Sequence, residues 1–242
     1  MKPAPVVLIL AVIAALLLIV AGPGTRIGFW EFGAGFLMMR WALFIGLGAA
    51  GLALMLLIIP GTRRGRGAIL AAALILGMGT AWVPWNGYQK VQSLPLIHDI
   101  TTDTANPPEF VDVAPLRADA PNPAEYPGEE TSVQQREAYP DILPLELGLS
   151  ADQTFDQALE TARDQGWEIV AAAPGEGRIE ATATTFWFGF KDDVVIRITS
   201  TDAGSRLDIR SKSRMGRSDV GANAARIRRF TQDFKRDFER RV

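Results

Sequence analysis

The stretch DDVVIRITSTDAGSRLDIRSKSR, residues 192–214, alternates apolar and polar residues on either side of TDAG. A period of two with a Gly-containing four-residue break predicts two antiparallel strands joined by a turn. Side chains of a strand point alternately to opposite faces. Val194, Ile196, Ile198, Leu207 and Ile209 therefore share one face. Asp193, Val195, Arg197, Arg206, Asp208, Arg210 and Lys212 share the other. Upstream, WEIVAAA and RIEATATTFWF flank PGEG and predict a second hairpin, with Ile179, Ala181 and Ala183 on the apolar face and Glu180, Thr182 and Thr184 on the other.

Helices bracket these strands. Ser150 three residues before Gln153 reads as a capping box. Phe155, Ala158, Leu159 and Ala162 then form one apolar stripe, and Gly166 marks the stop. From Ser218 to Arg240, residues of one stripe recur at three- and four-residue steps: Val220, Ala224, Ile227, Phe230 or Thr231, Phe234 and Phe238. That pattern predicts a long helix capped by Ser218 or Asp219. With DILPLELGL as a leading strand, the order is strand, helix, four strands, helix. The expected fold is an α+β two-layer sandwich over residues 141–242, an antiparallel sheet with two helices on one face. The charged face of the sheet is expected to be open, with cross-strand pairs of Asp193 or Asp208 with Arg197 or Arg210. Arg226, Arg228, Arg229, Lys235 and Arg236 are expected on a solvated helix surface, pairing in part with Asp233 and Asp237.

The first 90 residues are of another kind. Runs at about 4–22, 41–60 and 67–85 are apolar all round and carry no charge, and each approaches the length of a membrane-crossing helix. No small-x-small cleavage site follows the first run, so it is read as a retained helix. The loop GTRRGRG carries Arg63, Arg64 and Arg66 and is expected in the cytoplasm. The N-terminus with Lys2 is then cytoplasmic, and all that follows Trp85 is extracytoplasmic. Trp30, Trp41, Trp82, Trp85 and Tyr88 gather at the outer interface. The expected location is the inner (plasma) membrane of a bacterial cell envelope, with a periplasmic domain. Charge-free spans favour anchoring over transport, since translocation paths usually contain ionisable groups.

Residues 91–140 form a proline-rich strap or linker, with eight Pro between Leu94 and Pro140, part of which can dock on the domain through Ile97, Ile100, Phe110, Val111 and Val113. It contains the only His of the chain, His98, between Leu96 and two nearby carboxylates, Asp99 and Asp103. One His and no Cys exclude multi-histidine metal sites, thiolate sites and disulfides, so no metal and no cofactor are expected. Charge is segregated: seven bases and one acid in residues 1–90, six and 21 in 91–205, twelve and five in 206–242. An acidic middle excludes nucleic acid as the expected partner. The four aromatic rings in TTFWFGF, at Phe186, Trp187, Phe188 and Phe190, exceed what one core face absorbs. They are expected against the strap, a partner or the bilayer.

LPLIHDITTDTANPPEF, EATATTFWFGFKDDVVIRI and RSKSRMGRSDVGANAARIRRF, in that order, resemble the family known as domain of unknown function 1499, over about residues 94–236. The resemblance implies that the His98 strap belongs to the domain. The polar positions it carries over are His98, Asp99, Asp103, Asp192, Asp193, Arg197, Arg210, Ser211, Ser213, Arg214, Asp219, Asn223 and Arg226. It implies no activity. Of these, His98, Asp99, Asp103, Asp193, Arg197, Arg210, Arg214 and Asn223 are the candidate binding residues, with an anionic group expected near Arg214 and the helix start; no catalytic residue is assigned. The expected function is that of a membrane-anchored envelope protein whose domain binds a protein, lipid or small anionic partner without catalysis. Its partners are then the lipid bilayer and a membrane or envelope protein. The alternatives are a hydrolase using His98 with nearby carboxylates and an accessory subunit of a membrane complex.

Overall fold

A computed structural model describes residues 3–239; Lys2 and Arg240, named above, lie outside the described residues. The chain divides into two compact units, one of residues 1–93 with Phe186–Gly189, the other of residues 94–185 with 190–242.

The first unit is a bundle of α1 (Pro3–Arg26), α2 (Phe32–Ile58), a single turn α3 (Pro60–Arg63) and α4 (Gly67–Ser93). Its three long helices are long and apolar enough to cross a membrane. They pack through small residues: Ala11, Ala49, Ala53 and Ala73 are buried, while Ile9, Ile19, Phe44 and Ile75 face outward. A Cβ on Gly46 would stand 2.8 Å from the Gly77 carbonyl oxygen, and one on Gly77 would stand 2.6 Å from that of Gly46. Close backbone approach at small residues is how helices associate where lipid removes any hydrophobic drive. All three long helices are longer than the sequence predicts, and α1 runs on to Arg26 instead of ending near 22. α2 starts at Phe32 instead of 41 because FGAGFLMM continues the apolar helical run, and this puts Arg40 on the helix, over the Phe44 ring. α4 runs to Ser93 through Pro84, which does not end it.

The second unit holds β1 (Asp99–Thr101), α5 (Glu129–Ala138), β2 (Leu145–Leu147), α6 (Ala151–Asp164), β3 (Glu168–Ala173), β4 (Arg178–Thr184), β5 (Lys191–Thr201), β6 (Gly204–Ser213) and α7 (Ala222–Glu239). Strands β3 to β6 form an antiparallel meander, and β1 and β2 both pair with β6, at Arg210–Lys212 and at Ser205–Leu207. The β5–β6 register opposes Ile196 to Ile209 and Arg197 to Asp208, which keeps apolar residues on one face and charged ones on the other. That apolar face packs against Phe155, Ala158 and Ala162 of α6 and Ala224, Ile227, Phe230 and Phe234 of α7. Trp167 stacks on Phe230 with ring centroids 5.5 Å apart.

The caps follow the sequence. Gln153 N–H donates to Ser150 Oγ, and Ser150 N–H donates to Gln153 Oε1. At α7, the Asp219 carboxylate accepts from the N–H groups of Gly221 and Asn223. Val220 is no part of the α7 stripe, contrary to the periodicity: it precedes the helix at φ 53°, a left-handed conformation unusual for a β-branched residue.

Two expectations are corrected. The charged face of the sheet is not open, because residues 94–140 lie across it and bury Asp193, Asp208, Arg210 and Lys212, together with their own Asp99. Nor is that segment only an extended strap, since it contains α5. This helix has no apolar stripe; its buried residues are Ser132 and Gln135. Gln135 donates through Nε2 to the Thr101 carbonyl at 2.6 Å and accepts from the Thr101 N–H at 3.0 Å, so its amide pairs with β1 as a neighbouring strand would.

Candidate functional site

An irregular segment laid on a sheet has no ladder partner, yet its buried backbone groups still need hydrogen bonds. Here the side chains of the charged face supply them. Glu180 on β4 accepts from the N–H groups of Val111 and Val113 at 2.8 and 2.7 Å, and is further paired with Arg178. Arg210 donates to the carbonyls of Pro108 and Ala124, at 2.9 and 2.8 Å. Lys212 Nζ donates to the Glu125 carbonyl, and Arg214 to that of Leu116. From the strap side, Arg117 donates to the Ser213 carbonyl.

Three ion clusters lie under this cover. In the first, Arg210 makes a two-pronged pair with Asp99, Nε to Oδ1 at 2.9 Å and Nη2 to Oδ2 at 2.8 Å. Lys212 Nζ stands 3.0 Å from the same carboxylate. The Arg210 guanidinium also lies over the rings of Phe110 and Tyr126, at 4.7 and 5.4 Å. In the second, Asp193 accepts from Arg214 twice at 2.9 Å and from Thr182 Oγ1 at 2.8 Å, with Arg117 Nη1 at 3.2 Å. In the third, Arg197 bridges Asp103 and Asp208 at 3.1 and 2.9 Å, and Arg206 reaches the same two carboxylates.

Four cations, Arg117, Arg210, Lys212 and Arg214, thus surround two carboxylates, Asp99 and Asp193. Burial pushes Lys212 below the ordinary amine range against the pull of Asp99. Burial likewise lowers Arg117, against the pull of Asp193. His98, half-buried, is lowered first by burial and then by the positive charge of Lys212, so its imidazole is held neutral at pH 7.

Asn223 lies on the other side of β6. It accepts from Ser211 Oγ at 2.7 Å and donates to Ser213 Oγ and to the His98 carbonyl, each at 3.0 Å. Arg226 joins this group and pairs with Asp192, so it is not the solvated residue expected from its helix position. Arg228 pairs with Asp141, and Arg236 with Asp233 and Asp237.

Of the eight candidate residues, Asp99 and Arg210 meet directly. Asp193 meets Arg214, and Asp103 meets Arg197, in the two neighbouring clusters of the same face. Asn223 is separated from them by the sheet, because Ser211 and Ser213 point away from Arg210 and Lys212. His98 joins the Asn223 group through its backbone. Asp99 and Asp103 are turned toward arginines. Among the described residues no three His, Asp or Glu side chains form a group that could hold a metal ion. Arg117, Glu180 and Gln135 were not singled out by sequence. Arg117 and Gln135 belong to a segment without periodicity, while Glu180 was visible only as an outward-facing residue of β4.

Beside Arg210 the strap leaves a groove of about 410 Å³, walled by Phe110, Tyr126, Pro107 and Asn106, with exposed Glu109 and Glu125 at its rim. Burial raises the Tyr126 hydroxyl above the ordinary phenol range, and that hydroxyl bonds Ser132 Oγ at 3.2 Å.

The family model described as protein of unknown function (DUF1499) matches residues 99–234, more than half of the chain. No curated protein matches.

Proposed function

The chain belongs to the DUF1499 family, and from that premise we propose that it is a membrane-anchored envelope protein whose α+β unit acts by binding, without catalysis. One observation carries this reading: Asp99, Asp103, Asp193, Arg197, Arg210 and Arg214 are each paired within the fold, where they hold the strap. A general base needs a free path to its substrate's proton, and the carboxylates nearest His98 in sequence are bound to Arg197, Arg206, Arg210 and Lys212.

The groove beside Arg210 is the proposed recess. Its aromatic walls and the carboxylates at its rim suit an apolar or cationic segment of a partner protein. An anion is less well served there, because the Arg210 N–H groups already hold Asp99, Pro108 and Ala124. The three arginines Arg63, Arg64 and Arg66 between α2 and α4 support a cytoplasmic α3 end and an extracytoplasmic α+β unit in the inner membrane.

A photo-crosslinking residue at exposed Asn106, in the full chain in its native membrane, tests the reading. We expect one protein adduct that is lost with Glu125→Lys and is absent from a probe at exposed Asp202. The same adducts from both probes, or none at position 106, would refute it. Loss of the cellular phenotype on His98→Ala, with the fold intact, would instead favour the hydrolase.

A further inference from the structure

The helical unit includes four residues from far along the chain, Phe186–Gly189. Their seat is built for them. A Cβ on Gly22 of α1 would lie 2.3 Å from Trp187 Cδ1, so only glycine leaves room for that indole. Phe188 lies 5.2 Å from the Phe36 ring of α2, and a Cβ on Gly35 would stand 2.9 Å from Phe188 Cε1. Arg26 Nη1 donates to the Phe186 carbonyl at 2.6 Å. One turn away, Trp30 Nε1 donates to the Ala21 carbonyl at 3.1 Å, and its ring covers Gly24.

The level of this seat along the bundle identifies its surroundings. At the far end of the bundle core lie Ala4 of α1 and Leu56 of α2. At 1.5 Å per residue, Ala4 to Ala21 is about 26 Å and Leu56 to Gly35 is about 32 Å. The hydrocarbon of a bilayer is about 30 Å thick. The seat therefore falls at a hydrocarbon–headgroup boundary, the level at which Trp and other amphipathic rings collect. At this same level Phe186 is 91% exposed, Phe29 79% and Ile27 67%. These side chains continue the outward apolar surface of the helices, whose occupant is lipid.

We infer that the Phe186–Gly189 loop is a bilayer-interface anchor, with Phe186 inserted among lipid headgroups and upper acyl chains beside Ile27 and Phe29. This rests on the membrane-spanning reading of the three helices but not on any partner of the groove. Trp187 and Phe188 are the protein-facing rings that fix the loop, and Phe186 is the lipid-facing one.

The chain has no Cys, so a single introduced thiol reports one position. Nitroxide labels on Phe186→Cys, Phe29→Cys, Phe44→Cys and Asp202→Cys of the full chain would be read by power-saturation EPR in phosphatidylcholine–phosphatidylglycerol vesicles. The oxygen-to-nickel-chelate collision ratio at 186 should match that at 29, exceed that at 202 several-fold and fall below that at 44 in the helix middle. A ratio at 186 equal to that at 202, with 44 in lipid, overturns the anchor alone. Shielding of 186 from both reagents also overturns it, since protein would then cover the ring. A water-accessible 44 overturns the spanning reading itself.

Discussion

Replacing Asp99 by Asn keeps the shape of the side chain and removes its charge. Arg210 and Lys212, 2% and 1% exposed, are then left buried without the carboxylate that each contacts within about 3 Å. Breaking a buried pair by neutralising one partner destabilises by about 3–5 kcal/mol, mostly from the uncompensated charge that remains. Since those two cations also bond the carbonyls of Pro108, Ala124 and Glu125, the loss is felt first as opening of the strap. Each 1.4 kcal/mol is tenfold, so hydrogen-exchange protection across residues 95–127 should fall about 10²- to 10⁴-fold. Exchange mass spectrometry on the full chain in detergent measures this, with α1, α2 and α4 as internal controls. Arg210→Met, alone and with Asp99→Asn, completes the cycle, and the double variant should lose less than the sum by about 0.5–3 kcal/mol. A fall of less than tenfold for Asp99→Asn, or strict additivity, would refute the reasoning.

Glu180→Ala strands the N–H groups of Val111 and Val113 and leaves Arg178 with Asp112 and Glu176. Exchange at those two amides should accelerate by about tenfold or more, from a lost charge-assisted bond of about 1.5–3 kcal/mol, while β5 and β6 keep their protection. Gly77→Val should loosen the α2–α4 contact, lowering the thermal midpoint of the bundle in detergent by several degrees, whereas the same change at Gly79, where a Cβ meets open space, should leave it within a degree or two. For His98 the sign follows from its lowered pKa. The unfolded chain takes up a proton first as pH falls below about 6.5, so stability is full above that value and declines on acidification. Lys212 and Arg117 face the ring as repelling charges and Asp99 as an attracting one. His98→Asn should flatten the pH 7.5 to 5.5 part of the stability profile measured by urea unfolding of the full chain.

The meander was legible because a two-residue alternation with TDAG and PGEG breaks specifies both strands and register. α6 announced itself through Ser150 and Gln153, and α7 through Ile227, Phe230 and Phe234 at helical spacing. Docking of the strap was partly legible, since Phe110 and Val113 are apolar enough to dock and do pack on Val195, but its fastening to the charged face was not, because periodicity reports apolar burial and that fastening is polar. Asp193 and Arg210 face outward by pattern, and pattern alone equates outward with solvent. Their burial comes from the carbonyls of Pro108 and Ala124 on Arg210 and from Arg117 on Asp193, contacts between residues 76 to 102 positions apart that leave no period. α5 escaped for the same reason: Gln135 and Ser132 hold it through hydrogen bonds. The pairing of Arg197 with Asp208 was legible, since the strand alternation puts both on one face and the β5–β6 register sets them opposite each other.

The central claim is that the charged sheet face is an internal fastening for the strap. Lys212 tests it most directly, as a 1% exposed amine among lysines that include exposed Lys191 and Lys235. Reductive methylation of the native full chain, followed site by site with mass spectrometry, should modify Lys191 and Lys235 promptly and leave Lys212 untouched until the strap is released, as in Asp99→Asn. Modification of Lys212 at the rate of Lys235 in the unaltered chain would contradict the account.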